Sequence, residues 1–166
     1  MLAKKLSKAI NDQINRELFS SYLYLAMSVE ATSKGFKGAG VWFRVQFQEE
    51  LQHALKFQDY LLSQGAVVDL GVIEKPKVGY KSLLEMFDDT LKHEQSITQS
   101  LNDLMTLAVD EKDYATQALL QWYITEQVEE EANDNDVLTM LKMAGSSAGT
   151  LLMVDKQLGK RGAKPG

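Results

Sequence analysis

Residues 65–80 read Gly-Ala-Val-Val-Asp-Leu-Gly-Val-Ile-Glu-Lys-Pro-Lys-Val-Gly-Tyr, and this stretch decides the topology. Its sixteen residues include Gly65, Gly71, Gly79 and Pro76, which marks it as a loop. Loops of this length are uncommon inside compact domains and need a structural reason. Fully extended, the segment spans at most about 53 Å. A helix of 26 residues is about 39 Å long. The loop can therefore climb the whole height of a helical bundle and leave the helices on either side of it parallel.

Working outward, apolar residues recur at helical spacing on both sides of the loop. The first stripe passes through Leu6, Ile10, Ile14, Ser21 and Leu25, and the second through Phe43, Phe47, Ala54, Phe57 and Leu61. The third passes through Leu83, Phe87, Leu91, Leu101 and Leu104, behind a capping-box pattern of Ser82 with Glu85. The fourth passes through Leu119, Tyr123, Val137 and Leu141. The pattern predicts helices over about 6–33, 39–64, 82–109 and 112–143, with a short amphipathic fifth over 148–158. Short links make the first pair and the second pair antiparallel. The expected fold is all-α: one domain over 1–166, a four-helix bundle with one long crossover and a short C-terminal helix. A basic, glycine-rich tail after it is expected to be loose.

Composition narrows the function. The chain has 166 residues and 45% hydrophobic residues, enough for a sizeable core. With 23 acidic against 18 basic residues the net charge is −5, which argues against a nucleic-acid partner. There is no cysteine, so thiolate metal sites and disulfides are excluded. The uncharged stretch from Leu18 to Val29 is shorter than the roughly 18 residues that span a membrane, so no membrane partner and a cytoplasmic location are expected.

The informative residues interrupt the stripes. Glu17 falls between Ile14 and Ser21, Glu50 between Phe47 and Ala54 with His53 one turn on, and Glu94 between Leu91 and Leu101. Glu126, Gln127 and Glu130 fall between Tyr123 and Val137. Residues three and four apart share a helix face, so all lie on or beside the inward side. Each is near the middle of its helix and therefore in one layer. Buried carboxylates cost several kcal/mol each unless compensated. No basic residue shares these stripes, and the fourth helix has none from Asp113 to Leu141. A cation or bound protons must then offset the charge. Glutamates facing a Glu-x-x-His helix form the ligand set of di-iron and di-manganese bundles. Oxygen donors with one imidazole suit Fe(II), Mn(II) or Zn(II).

At these residues the sequence resembles the bacterial non-haem ferritins. The likeness runs through Glu17 with Tyr24, Glu49-Glu50-Leu51-Gln52-His53, Lys92-His93-Glu94-Gln95 and the segment from Gln121 to Glu131. It implies a ferritin-like iron-storage protein with ferroxidase activity. Glu17, Glu50 and His53 would bind one iron, and Glu50 would bridge to a second held by Glu94 and Glu130 with Gln127 close by. Tyr24 would stand beside the pair, although a buried tyrosine with a bonded hydroxyl reads equally well. Glu49, Glu126, Glu129 and Glu130 would form a third iron site. The resemblance further implies Fe(II) and O2 as substrates, a ferric mineral as product, and hollow shells of 24 subunits with the fifth helix at the four-fold axes. Gln117 and Leu120 stand where animal ferritins line a channel with acids, so an acidic route is not expected there.

His93, about 100° from Glu94 around the helix, is expected at the surface or a subunit contact. Trp122 is expected in the core. A haem-type bacterioferritin would carry a methionine where this chain has Leu51 and would repeat Glu-x-x-His on the fourth helix, so no haem is expected. A starvation-type ferritin, a di-iron oxygenase acting on an organic substrate and a metal-free scaffold remain the other readings.

Overall fold

The computed structural model describes residues 2–162. Its order is α1 (Lys4–Ser33), α2 (Lys37–Ser63), α3 (Leu83–Asp110), α4 (Tyr114–Ala144) and α5 (Ala148–Leu158). Four long helices form a bundle, and α5 lies across one end of it. The expected tail beyond Gly162 falls outside the described residues.

Local chemistry sets the helix ends. Gly35, with φ 90°, turns the chain sharply between α1 and α2. The Ser28 hydroxyl then donates to the Gly40 carbonyl at 2.7 Å, joining the end of α1 to the start of α2 in an antiparallel pair. At the head of α3 the Ser82 hydroxyl accepts from the Glu85 amide at 3.1 Å. The Asp113 carboxylate caps α4 through the Thr116 amide at 2.8 Å. Lys112, just before it, adopts a left-handed φ of 54°, which is why α4 starts later than periodicity alone places it.

Contacts between helices fix their directions. Tyr60, near the end of α2, bonds Thr116 at the start of α4 at 2.8 Å, and Phe57 stacks on Tyr123 with centroids 4.0 Å apart. Helices α2 and α4 are therefore antiparallel. Because α3 and α4 are joined by a tight turn, α2 and α3 run the same way and the crossover must travel the length of the bundle.

Helix α1 serves as the rail for that crossover. The Asn11 side chain donates to the Val67 carbonyl at 3.0 Å and accepts from the Asp69 amide at 2.7 Å. One turn on, Asn15 accepts from the Gly71 amide at 2.8 Å and donates to the Asp69 carbonyl at 3.2 Å. Near the far end of α1, the Glu30 carboxylate accepts from the amides of Gly79 at 2.9 Å and Tyr80 at 2.7 Å. A loop without its own ladder thus has its backbone groups satisfied by side chains.

The apolar interior divides in two. Leu6, Ile10, Phe57, Leu61, Leu104 and Tyr123 belong to one cluster, and Met27, Phe43, Phe87, Leu138 and Leu141 to the other. Burial of each such side chain contributes about 1.5–3 kcal/mol. Between the two clusters lies a polar layer.

Candidate metal centre

That polar layer is the glutamate layer anticipated from the stripes. Glu17, Glu50, Glu94 and Glu130 are each 1% exposed, and His53 and Gln127 are also buried. Ligand atoms of Glu17, Glu50 and His53 lie within 4.8 Å of one another, the single compact trio of this kind among the described residues. His53 Nδ1 is 3.4 Å from Glu50 Oε2. Helical spacing explains the pair: residues 50 and 53 point the same way from α2, toward Glu17 on α1.

Glu94 and Glu130 stand in the same layer but outside that trio, each held by neighbouring donors. The Tyr24 hydroxyl donates to Glu94 Oε1, and the Gln127 amide donates to Glu94 Oε2 at 3.0 Å. The Gln46 amide donates to Glu50 at 3.0 Å and to Glu130 at 3.1 Å, tying the two halves together. Gln13 donates to Glu17 at 2.7 Å, and the Ser100 hydroxyl fixes Gln13 at 2.9 Å. The Tyr123 hydroxyl donates to the His53 carbonyl at 2.7 Å. Such outer donors hold ligands in fixed rotamers before any ion arrives.

The remaining atoms fit a cation. Glu17 Oε2 and Glu130 Oε1 are buried with no hydrogen-bond partner. Burial raises the Glu17 and Glu50 carboxyls well above their usual range, and neighbouring carboxylates raise them further. Glu94 is raised by burial against the lowering pull of Tyr24 and Gln127. Glu130 is pushed up to about 7 by burial and then by Glu94. Burial therefore favours the protonated carboxyls when no metal is bound, and binding a divalent ion, which needs them ionised, is coupled to proton release.

The structure corrects several expectations. Arg161, just past α5, places Nη2 2.5 Å from Glu49 Oε2 and 3.9 Å from Glu130 Oε2. The carboxylates do have a basic neighbour, although it comes from none of the four long helices, and the chain at Arg161 is packed rather than loose. Glu49 is buried, Glu126 half-buried and Glu129 exposed, and, like Glu94 and Glu130, they stand outside the compact Glu17–Glu50–His53 trio, which neither supports nor overturns a third iron position. His93 is half-buried at the edge of the bundle. Its Nε2 lies 2.7 Å from the Ser20 hydroxyl, its ring meets Phe19 and the edge of Tyr24, and burial pushes it down to about 4. Trp122 is not in the core: it is 39% exposed, under Lys56 Nζ at 3.3 Å, with its ring against His53. Leu120 is fully buried, and Gln117 donates to the Ala108 carbonyl.

Sequence reasoning missed Gln13, Gln46 and Asp134. Each stands four residues from a singled-out glutamate, so spacing could have found them. Asp134 is 1% exposed and pushed up to about 9 by burial and then by Glu94 and Glu130. Arg161 carried no such signal.

Known proteins resemble this chain in sequence and fold over nearly its whole length. The ferritin-like domain family matches residues 7–144. A bacterial non-haem ferritin of Escherichia coli is 40% identical over 158 residues, covering 95% of this chain and 96% of that one. A protein of Haemophilus influenzae described as non-haem ferritin-like is 39% identical over 164 residues, covering 99% of each. The open-pore ferritin of the archaeon Archaeoglobus fulgidus superposes with a TM-score of 0.96 at 41% identity, covering 98% of this chain and 100% of that one. With that agreement in sequence and fold, the chain belongs to the ferritin family, among relatives named bacterial non-haem ferritins.

Proposed function

We propose that this chain oxidises Fe(II) with O2 inside its bundle and stores the ferric product in a hollow shell of 24 copies. One observation carries the proposal: the buried Glu17–Glu50–His53 trio, whose glutamate oxygen Oε2 on residue 17 lacks any partner. Iron is the substrate here, bound, oxidised and passed on.

Glu17, Glu50 and His53 bind the first Fe(II), two carboxylates and an imidazole giving a compact, tight position. Glu50 also faces Glu94 and Glu130, which bind the second. Two Fe(II) ions each give up one electron, and O2 takes both, with two protons from water, to the level of hydrogen peroxide. Protons favoured by the raised carboxyls leave earlier, when the metal binds. Gln127 donates to Glu94 rather than adding a carboxylate, so the second position binds more weakly and releases its product. Tyr24 fixes the other oxygen of Glu94 and so orients that ligand.

Glu49, Glu126 and Glu129, with Glu130 shared, make a third and weaker iron position in this reading. The described helices include none long and apolar enough to cross a membrane, which supports placing the shell in the cytoplasm.

The test is to add hundreds of Fe(II) per shell in air and size the product. A particle of 24 subunits that keeps the iron in solution is expected. Precipitated iron, or a protein that stays monomeric, contradicts storage.

A further inference from the structure

The chain after α5 is placed by a lock at the opposite end of the bundle from the crossover's start. Helix α2 has no side-chain cap of its own at Phe36. Instead the Asp155 carboxylate of α5 accepts from the amides of Gly38 at 3.0 Å and Ala39 at 2.8 Å, capping α2 from another helix. A Cβ at Gly38 would overlap the Asp155 carbonyl, and one at Gly159 would meet the Gly38 Cα at 3.1 Å. Two glycines thus let the end of α5 lie directly on the start of α2.

Two residues after Gly159, Arg161 turns into the bundle. Its side chain is 15% exposed, its guanidinium lies 4.3 Å from the Trp42 ring centroid, and Nη2 contacts Glu49 and approaches Glu130. Nη1 is buried without a partner, as are Glu130 Oε1 and Asp134 Oδ2 nearby. Arg161 is also the basic group that pulls Glu130 and Asp134 down against their burial.

We propose that Arg161 is the resident counter-cation of the Glu49–Glu130 corner, which an iron ion must displace to occupy the third position. This rests on the reading of Glu49, Glu126, Glu129 and Glu130 as iron ligands. A guanidinium and a divalent ion compete for the same carboxylate lone pairs, and two cations at this separation repel. Displacement is feasible because the arm borders an open cleft of about 410 Å³ lined by Trp42, Asp136, Leu158 and Gly162. The third position then fills last and empties readily, because the arginine returns when iron leaves.

The test is an anaerobic Fe(II) titration by calorimetry on assembled parent and Arg161→Gln shells, beside thermal unfolding of each with and without Fe(II). Removing the guanidinium should tighten the weakest site at least tenfold and leave the first site, at Glu17, Glu50 and His53, unchanged. The variant should be less stable than the parent when metal-free, with the gap closing on Fe(II) saturation. An unchanged or weakened third site, or an equal stability gap with and without Fe(II), overturns the proposal. If Arg161→Gln does not assemble, Arg161→Met, which keeps an apolar stem and removes the charge, must still tighten that site several-fold, and no change overturns it. A parent that binds two ions and never a third overturns the role of Arg161 while leaving oxidation at the bundle standing. A parent that binds no Fe(II) overturns both.

Discussion

The Tyr24 hydroxyl of α1 donates to one oxygen of Glu94 on α3, while Gln127 of α4 holds the other. One buried carboxylate therefore ties three helices together, with one donor on each oxygen and lone pairs left for a metal. Tyr24→Phe leaves Glu94 Oε1 buried without its donor, a loss of about 1–3 kcal/mol. The metal-free protein should melt at a lower temperature, and Zn(II) saturation should narrow the gap by giving that oxygen a partner. Thermal unfolding with and without Zn(II) checks this, and equal losses in both states would count against it.

Stability of the metal-free protein should fall as pH rises from about 5 to about 9. The sign follows from the raised carboxyls. Glu130, at about 7, and Asp134, at about 9, keep protons in the folded state that the unfolded chain has already lost. Their favourable contribution is complete below the ordinary carboxylate range and disappears as pH passes those values. Glu30 and Glu85 are lowered, so their contribution changes only under more acidic conditions. Urea midpoints across this range, metal-free and metal-loaded, measure the effect. A flat or rising metal-free profile contradicts it.

Much of this was legible beforehand because helices report their inward faces through spacing. Glu17, Glu50, His53, Glu94 and Glu130 interrupt apolar stripes, and the structure buries all five in one layer. The long loop's climb followed from its length, but its rail did not: that Asn11, Asn15 and Glu30 face the crossover depends on tertiary placement. The surroundings of His93 were not legible, because an offset of 100° says where a residue points, not what lies there, and Ser20 and Phe19 of α1 lie there. Arg161 was illegible because its position depends on Asp155 docking against Gly38.

Glu50→Ala should slow Fe(II) oxidation by more than the roughly 10- to 100-fold that follows loss of a partner behind a ligand. Glu50 faces both halves of the layer, so its removal disables both. Stopped-flow oxidation with sizing of the shell separates this from misassembly. Parent-like rates in an intact shell would remove Glu50 from the mechanism.

Gln46→Leu removes the amide that links Glu50, a member of the trio, to Glu130. Affinity for the second Fe(II), which loses support on both Glu50 and Glu130, should fall about 10- to 100-fold, and further than affinity for the first. Anaerobic Fe(II) titration reads both values. Equal weakening of the two sites would show that Gln46 is not specific to the second half.

Gly38→Ala should detach α5, because the new methyl overlaps the Asp155 backbone, and the melting temperature should drop. Gly149→Ala, whose Cβ meets open space in α5, should instead hold or gain stability by up to about 1 kcal/mol. Melting curves of the two variants side by side decide it. Similar behaviour of both would deny the close approach of α5 to α2.

The most direct test of the metal centre is anomalous diffraction at the iron edge from crystals soaked anaerobically in Fe(II). One strong peak is expected among Glu17, Glu50 and His53, and a weaker one between Glu50, Glu94 and Glu130. Peaks confined to exposed acids, with the buried layer empty, would contradict it.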